Sequence, residues 1–184
     1  MNNVVMIGFK SSGKTTVGRL LASRLGMIFR DLDDTIQNLL DERYVTATYT
    51  VRSFFREHGV AAFREIESEA LRRHLNDCNV VLASGGGAPM NHENAEIFKR
   101  LGTVCYVIAD VRLIFDRFVA DGMPAYLEDV PDDERLSRLT EIWHERNKVY
   151  EKIADLTVVS TAGPAEDVAE ELDRLLHNLR KTTN

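Results

Sequence analysis

Gly8-Phe9-Lys10-Ser11-Ser12-Gly13-Lys14-Thr15 is the stretch on which the fold turns. It satisfies G-x-x-x-x-G-K-[ST], a loop whose glycines let backbone N–H groups wrap around phosphate oxygens. Its neighbours matter as much as the match. The apolar run at residues 4–8 reads as a strand, and beyond Gly13 the residues Val17, Leu20, Leu21 and Leu25 recur at helical spacing until Gly26 ends the pattern. Strand, loop and helix in that order are what phosphate binding needs, because the helix points its positive N-terminal end at the anion. Lys14 would reach a transferring phosphoryl group, and the Thr15 hydroxyl would ligate Mg2+.

Further short β-rich runs occupy residues 27–31, 80–83, 104–108 and 156–159, with amphipathic stretches between them. The alternation predicts a three-layer α/β fold, a five-stranded parallel sheet with helices on both faces. Thr50 is placed to cap a short helix ending near His58, and Phe63, Ile66, Ala70, Leu71 and Leu75 form one stripe of a helix over 62–75. Asn91 would cap a helix through Arg100, and Gly163-Pro164 would open a last helix to about Leu179, with a frayed tail from Arg180 to Asn184. The acidic, proline-containing stretch 121–134 is expected to be a long mobile loop.

The 184 residues, 44% hydrophobic and 28% charged, suit one compact domain spanning 1–184. Lys and Arg number 23 against 29 Asp and Glu, a net charge of −6 that offers no basic excess to nucleic acid or an anionic membrane. No apolar run approaches the roughly 18 residues of a membrane-spanning helix. Met1-Asn2-Asn3 lacks the charged and apolar regions of a signal peptide. Cys78 and Cys105 form no CxxC and suggest neither a disulfide framework nor a zinc site; both read as small core residues in a reducing cytoplasm. His58, His74, His92, His144 and His177 are scattered and read as surface positions.

Chemistry-bearing residues follow the loop in order. Side chains on a strand alternate, so Asp31 and Asp33 are expected on one side of the second strand and Leu32 on the other, at the sheet edge where α/β proteins bind ligands. The plainer possibility is a charged loop in which Asp33 or Asp34 caps the next helix. In Phe63-Arg64-Glu65-Ile66-Glu67, a helical spacing of three lets Glu67 steady the Arg64 guanidinium. Gly85-Gly86-Gly87, after the third strand, lets backbone approach a ligand closely. Arg146 follows in Glu145-Arg146-Asn147-Lys148-Val149-Tyr150. Taken singly, each arginine reads as a solvated surface charge.

Taken in order, G-x-x-x-x-G-K-T-T-V-G-R, F-x-D-x-D, G-x-x-x-F-R-x-x-E, G-G-G and R-x-x-x-Y-x-x-x-A make a chain that resembles the shikimate kinase family over most of its length. The resemblance implies a P-loop kinase that uses ATP to phosphorylate the 3-hydroxyl of shikimate, a step of aromatic amino acid biosynthesis. It implies ATP contacts from Ser11, Ser12, Gly13, Lys14, Thr15 and Thr16, with Arg117 beside the adenine and the 161–164 loop across from it. Thr15, and Asp31 through water, would hold Mg2+. Lys14 and Asp33 would be catalytic, Asp33 hydrogen-bonding the substrate hydroxyls and serving as base. Arg64 and Arg146 would clamp the substrate carboxylate, with Gly85, Gly86 and Gly87 completing the pocket; guanidinium and carboxylate match as planar forks. The substrate-binding helical segment would span about 33–75 and the lid about 121–134. A monomer without nucleic-acid or membrane partners is expected.

The chain departs from the family pattern at the lid. Where the family carries R-P-L-L, this sequence has Met123-Pro124-Ala125-Tyr126-Leu127, without the arginine that reaches toward phosphates and substrate. Glu128, Asp129, Asp132, Asp133 and Glu134 give the lid the wrong sign for closing over a triphosphate. Arg135 or Arg138 is the expected substitute. The segment 41–49 lengthens the connection to Thr50, and Val60 stands where the family has glutamate. Two other readings stay open: a P-loop kinase for another small hydroxy acid such as gluconate, and a catalytically weak or repurposed nucleotide-binding relative, to which Met123 and the acidic lid point.

Overall fold

A computed structural model describes residues 3–182. The chain runs β1 (Asn3–Ile7), α1 (Lys14–Leu25), β2 (Ile28–Asp31), α2 (Leu32–Arg43), α3 (Val51–Arg73), β3 (Val80–Ala83), a one-turn 3₁₀ helix (Ala88–Met90), α4 (His92–Leu101), β4 (Gly102–Ala109), α5 (Val111–Asp121), α6 (Ala125–Glu128), α7 (Arg135–Ile153), β5 (Leu156–Ser160) and α8 (Ala165–Thr182). All five strands are parallel, in the order β2-β3-β1-β4-β5. Alternation sends Val5, Ile7, Leu82, Val104 and Tyr106 into one apolar layer with Leu32, Ile66, Phe98, Phe118 and Leu139. Val4, Met6, Val81, Cys105 and Val107 enter the other, against Val17 and Leu21 of α1 and Leu172 and Leu176 of α8. β1, β3 and most of β4 are buried on both faces and read as unbroken apolar runs, while the edge strands β2 and β5 keep exposed residues and showed through their β-rich composition.

The central strand β1 is buried from Asn3 to Ile7 and pairs with β3 on one side and β4 on the other. The connections therefore part around its C-terminal end, the position at which open parallel sheets leave a crevice for ligands. Gly8 begins there.

Several local expectations are corrected. β2 stops at Asp31 and α2 begins at Leu32, so Asp31 and Asp33 do not share a strand face. Asp31 is instead the N-cap of α2, its carboxylate accepting from Asp33 N at 3.1 Å. Capping satisfies a backbone N–H left orphaned by the helix, and carboxylates in the first turn suit its positive end. Residues 41–43 belong to the last turn of α2. The two helices expected around 50–58 and 62–75 join as α3, entered through a capping box of Thr50 and Ser53 and broken at Gly59. The 121–134 stretch is not structureless: it holds α6, with Pro124 and Leu127 buried. α8 runs on to Thr182, beyond the expected end; Met1, Asn2, Thr183 and Asn184 lie outside the described residues.

Cys78 and His74 exchange their expected places. Cys78 is exposed in the turn before β3, while Cys105 is in the core, where burial pushes its thiol well up. His74 is buried because both ring nitrogens have partners, Thr35 Oγ1 at 2.9 Å and Asp77 Oδ2 at 2.7 Å.

Candidate active site

The loop between β1 and α1 is built around buried polar atoms. Ser12 N donates to Phe9 O at 3.1 Å, while Ser12 Oγ is buried without a partner among the described residues. Lys14 opens α1, and its Nζ folds back to donate to Phe9 O at 2.6 Å. Burial is the main cause that lowers Lys14 to about 8; Asp33 and Asp31 oppose that shift, and Arg146 and Lys10 add to it. Thr15 Oγ1 donates to Asp31 Oδ2 at 3.0 Å, tying the loop to the start of α2. Thr16 stands exposed in the first turn of α1.

Asp33 follows at the second position of α2 and opens onto the cleft. The surrounding walls desolvate it and the Asp31 carboxylate repels its charge, so its pKa is raised, against the pull of Lys14 and Lys10. Across from it, Arg64 Nη1 donates to Glu67 Oε2 at 2.5 Å on the second half of α3. Glu67 is 1% exposed, and desolvation raises its pKa although Arg64 opposes this.

The three glycines bring these parts together. A Cβ at Gly86 would stand 2.8 Å from Lys10 N, and one at Gly87 would stand 2.1 Å from Arg64 Nη2. Gly85 faces Glu67 and Asp33. Only a chain without side chains packs the phosphate loop, the carboxylates and the arginine this closely.

α7 brings Arg146 to the same place through one helical face. Trp143 Nε1 donates to Ala109 O at 3.1 Å, Asn147 Oδ1 accepts from Tyr106 Oη at 2.5 Å, and the Tyr150 hydroxyl donates to Gly86 O. Residues 143, 147 and 150 share one side of the helix, and Arg146 projects beside them. Its guanidinium carbon lies 5.0 Å from the Phe9 ring centroid and 5.4 Å from that of Tyr126.

The structure thus gathers Lys14, Thr15, Asp31, Asp33, Arg64, Gly85, Gly86, Gly87 and Arg146 at one sheet edge. Arg117 stands on the other flank of the loop, donating to Ser11 O at 2.7 Å and Thr161 O at 3.2 Å. Neither expected substitute for the lid arginine reaches the site. Arg135 is spent on the lid's own backbone, donating to Leu127 O at 3.2 Å and Val130 O at 3.0 Å, and Arg138 pairs with Glu141 at 2.8 Å. The acidic lid has a different counterpart: Glu128 pairs with both Arg52 and Arg56 of α3, and Arg52 also donates to Met123 O at 3.1 Å. Phe9, Tyr126 and Tyr150 were missed as site residues; only Tyr150 carried a signal, its fixed place four residues after Arg146.

The family model described as shikimate kinase matches residues 10–177. A shikimate kinase of Persephonella marina is 32% identical over 177 residues, covering 95% of this chain and 99% of the relative. One of Symbiobacterium thermophilum is 34% identical over 171 residues, covering 92% and 93%. Among solved structures, a shikimate kinase from Acinetobacter baumannii in complex with shikimate superposes with a TM-score of 0.84 at 31% identity, covering 97% of this chain and 94% of that one. The Bacteroides thetaiotaomicron shikimate kinase gives 0.81 at 29%, covering 96% and 98%. The family model spans most of the chain and these relatives are matched over nearly their whole length, and the chain belongs to the shikimate kinase family.

Proposed function

We propose that this chain transfers the γ-phosphoryl group of ATP to the 3-hydroxyl of shikimate, releasing ADP and shikimate 3-phosphate. The observation that carries this is the place of Asp33, between the phosphate loop and the two arginines. A carboxylate gripped by Arg64 and Arg146 leaves the hydroxyl side of a small ring directed at Asp33 and Lys14. Asp33 takes the proton of the attacking hydroxyl, whose oxygen forms a bond to the γ-phosphorus as the bond to the ADP oxygen breaks. Its raised pKa suits it to accept that proton. Lys14 leaves Phe9 O for the phosphoryl oxygens and neutralises their charge. Arg117, held between Ser11 O and Thr161 O, flanks the adenine.

Thr15 Oγ1 and Asp31 Oδ2, 3.0 Å apart, offer hard oxygen donors beside the loop. Among the described residues no group of three or more His, Cys, Asp or Glu forms a cage. Mg2+ suits such a site, since it keeps several waters and takes its other ligands from phosphates. Thr15 and Asp31 would hold it; when bound, the ion neutralises charge on the phosphates. No helix among the described residues is long and apolar enough to cross a membrane. An exposed, unpaired Cys78 suits a reducing cytoplasm, and we assign the enzyme there as a single-domain monomer.

ADP release measured with shikimate, with gluconate and without acceptor tests the reading. Release is expected with shikimate alone, and Asp33→Asn is expected to abolish it while leaving ATP affinity nearly intact. Equal release without acceptor, or undiminished shikimate phosphorylation in Asp33→Asn, sinks the assignment.

A further inference from the structure

The lid of this chain carries a tyrosine whose hydroxyl has nothing to bond. Tyr126 Oη is buried without a hydrogen-bond partner among the described residues. The other buried tyrosines of the same region do not share this state: Tyr106 donates to Asn147 and Tyr150 to Gly86 O. Burial pushes the Tyr126 phenol up to about 12, so it keeps its proton and stands as a donor at neutral pH. A buried hydroxyl without a partner is unfavourable, so an unbonded one in a cleft points to a group that arrives from outside.

Its surroundings define that group. The lid is held over the site by Glu128 on Arg52 and Arg56, by Arg52 on Met123 O, and by Arg135 on the carbonyls of Leu127 and Val130. Leu127 is fully buried beside it. This seats the Tyr126 ring 5.4 Å from the guanidinium carbon of Arg146, whose second aromatic neighbour is Phe9 at 5.0 Å. Arg146 offers donors only, one of them to the Tyr150 hydroxyl, whose own proton is on Gly86 O. The Tyr150 oxygen thus takes one Arg146 donor, and the acceptor that suits the remaining guanidinium donors together with the Tyr126 hydroxyl is a carboxylate oxygen.

We propose that Tyr126 is a further substrate-contacting residue, its hydroxyl donating to the carboxylate oxygen that Arg146 grips. This rests on the shikimate kinase reading above. Lid closure and substrate selection are then one event: the lid contributes a hydrogen bond to the acceptor's acid group, where the family's lid pattern has an aliphatic side chain. A substrate with no oxygen in that position leaves the Tyr126 hydroxyl unsatisfied and is rejected for that reason as well as for its loss of the arginine pair.

Tyr126→Phe keeps the ring beside Arg146 and removes only the hydroxyl. With the purified full chain, its KM for shikimate is expected to rise about tenfold, with kcat and the KM for ATP within about twofold of wild type. The preference for shikimate over its analogue with hydrogen in place of the carboxyl group, as a ratio of kcat/KM, is expected to fall by a similar factor. Tyr126→Leu, which also removes the ring, is expected to lose at least as much. A shikimate KM in Tyr126→Phe within twofold of wild type, or an unmoved preference over the decarboxylated analogue, overturns the proposal, as does a loss confined to Tyr126→Leu, which assigns the role to the ring. Absence of shikimate turnover in the wild type brings down the functional reading itself and this inference with it; wild-type turnover with an unmoved Tyr126→Phe overturns this inference alone.

Discussion

Lys14 is nearly enclosed by its own loop, with 7% of its surface exposed and its ammonium donating to Phe9 O. Its folded pKa of about 8 lies below the 10.5 of a free lysine. Between those values the unfolded chain holds a proton that the folded chain has released, so the stability of the ligand-free protein rises with pH across that window. Phosphate reverses the shift by supplying the counter-charge. ATP binding near pH 8.5 is therefore expected to take up a proton, read by calorimetry in buffers of different ionisation enthalpy, and Lys14→Met is expected to lose that uptake. Identical uptake in the variant would show that another group is responsible. Lys14 and Thr15 were legible in the sequence because the phosphate loop fixes their spacing, whereas Asp31 was picked out from its place at the end of the second strand and from the family resemblance. Glu67 was legible from its helical interval to Arg64. Phe9 and Tyr126 were not, since their part depends on Arg146 arriving from a helix distant in sequence.

At the level of elements, the lid shows best how a local pattern and its surroundings can disagree. Its acidic side chains read as repelling a triphosphate, but Glu128 is turned to Arg52 and Arg56 at the start of α3. The Met123 side chain packs against the core and its carbonyl is taken by Arg52. An arginine at this position would have to be accommodated in that packing, with the Arg52 guanidinium already on its carbonyl. Met123→Arg is accordingly expected to leave shikimate-dependent ADP release within about threefold of wild type. A gain of tenfold or more would show that a phosphate-reaching arginine is what this lid lacks. The placing of Asp31 and Asp33 was misread for a related reason. β2 is only four residues long, and its last residue already serves as the cap of α2, so the strand period ends before Asp33 is reached.

For the molecule as a whole, the inner strands β1, β3 and β4 were legible because burial on both faces leaves a plain apolar run, and the edge strands β2 and β5 through their β-rich composition between helical stretches. Their order was not, since β1 pairs with β3 and β4 across long intervals that no local pattern encodes. Among the described residues the exposed large apolar side chains, Ile28, Val45, Val60, Val119 and Val159, are scattered along the chain. Isolated residues of this kind do not make an association surface. The protein is expected to run as a monomer of 20.8 kDa by light scattering, and a stable dimer at micromolar concentration would contradict that assignment. The two ion-pair systems at the cleft differ in one further respect. Arg52 and Arg56 hold Glu128 with side chains 54% and 55% exposed, whereas Glu67 meets Arg64 with 1% exposed. Salt shortens the reach of exposed charges, from about 8 Å at physiological ionic strength to about 3 Å at 1 M, and acts little on buried ones. The fastening of the lid is thus open to the composition of the surrounding solution while the Glu67 carboxylate under Arg64 is insulated from it, so added salt is expected to loosen the lid and to leave the Arg64–Glu67 pair in place.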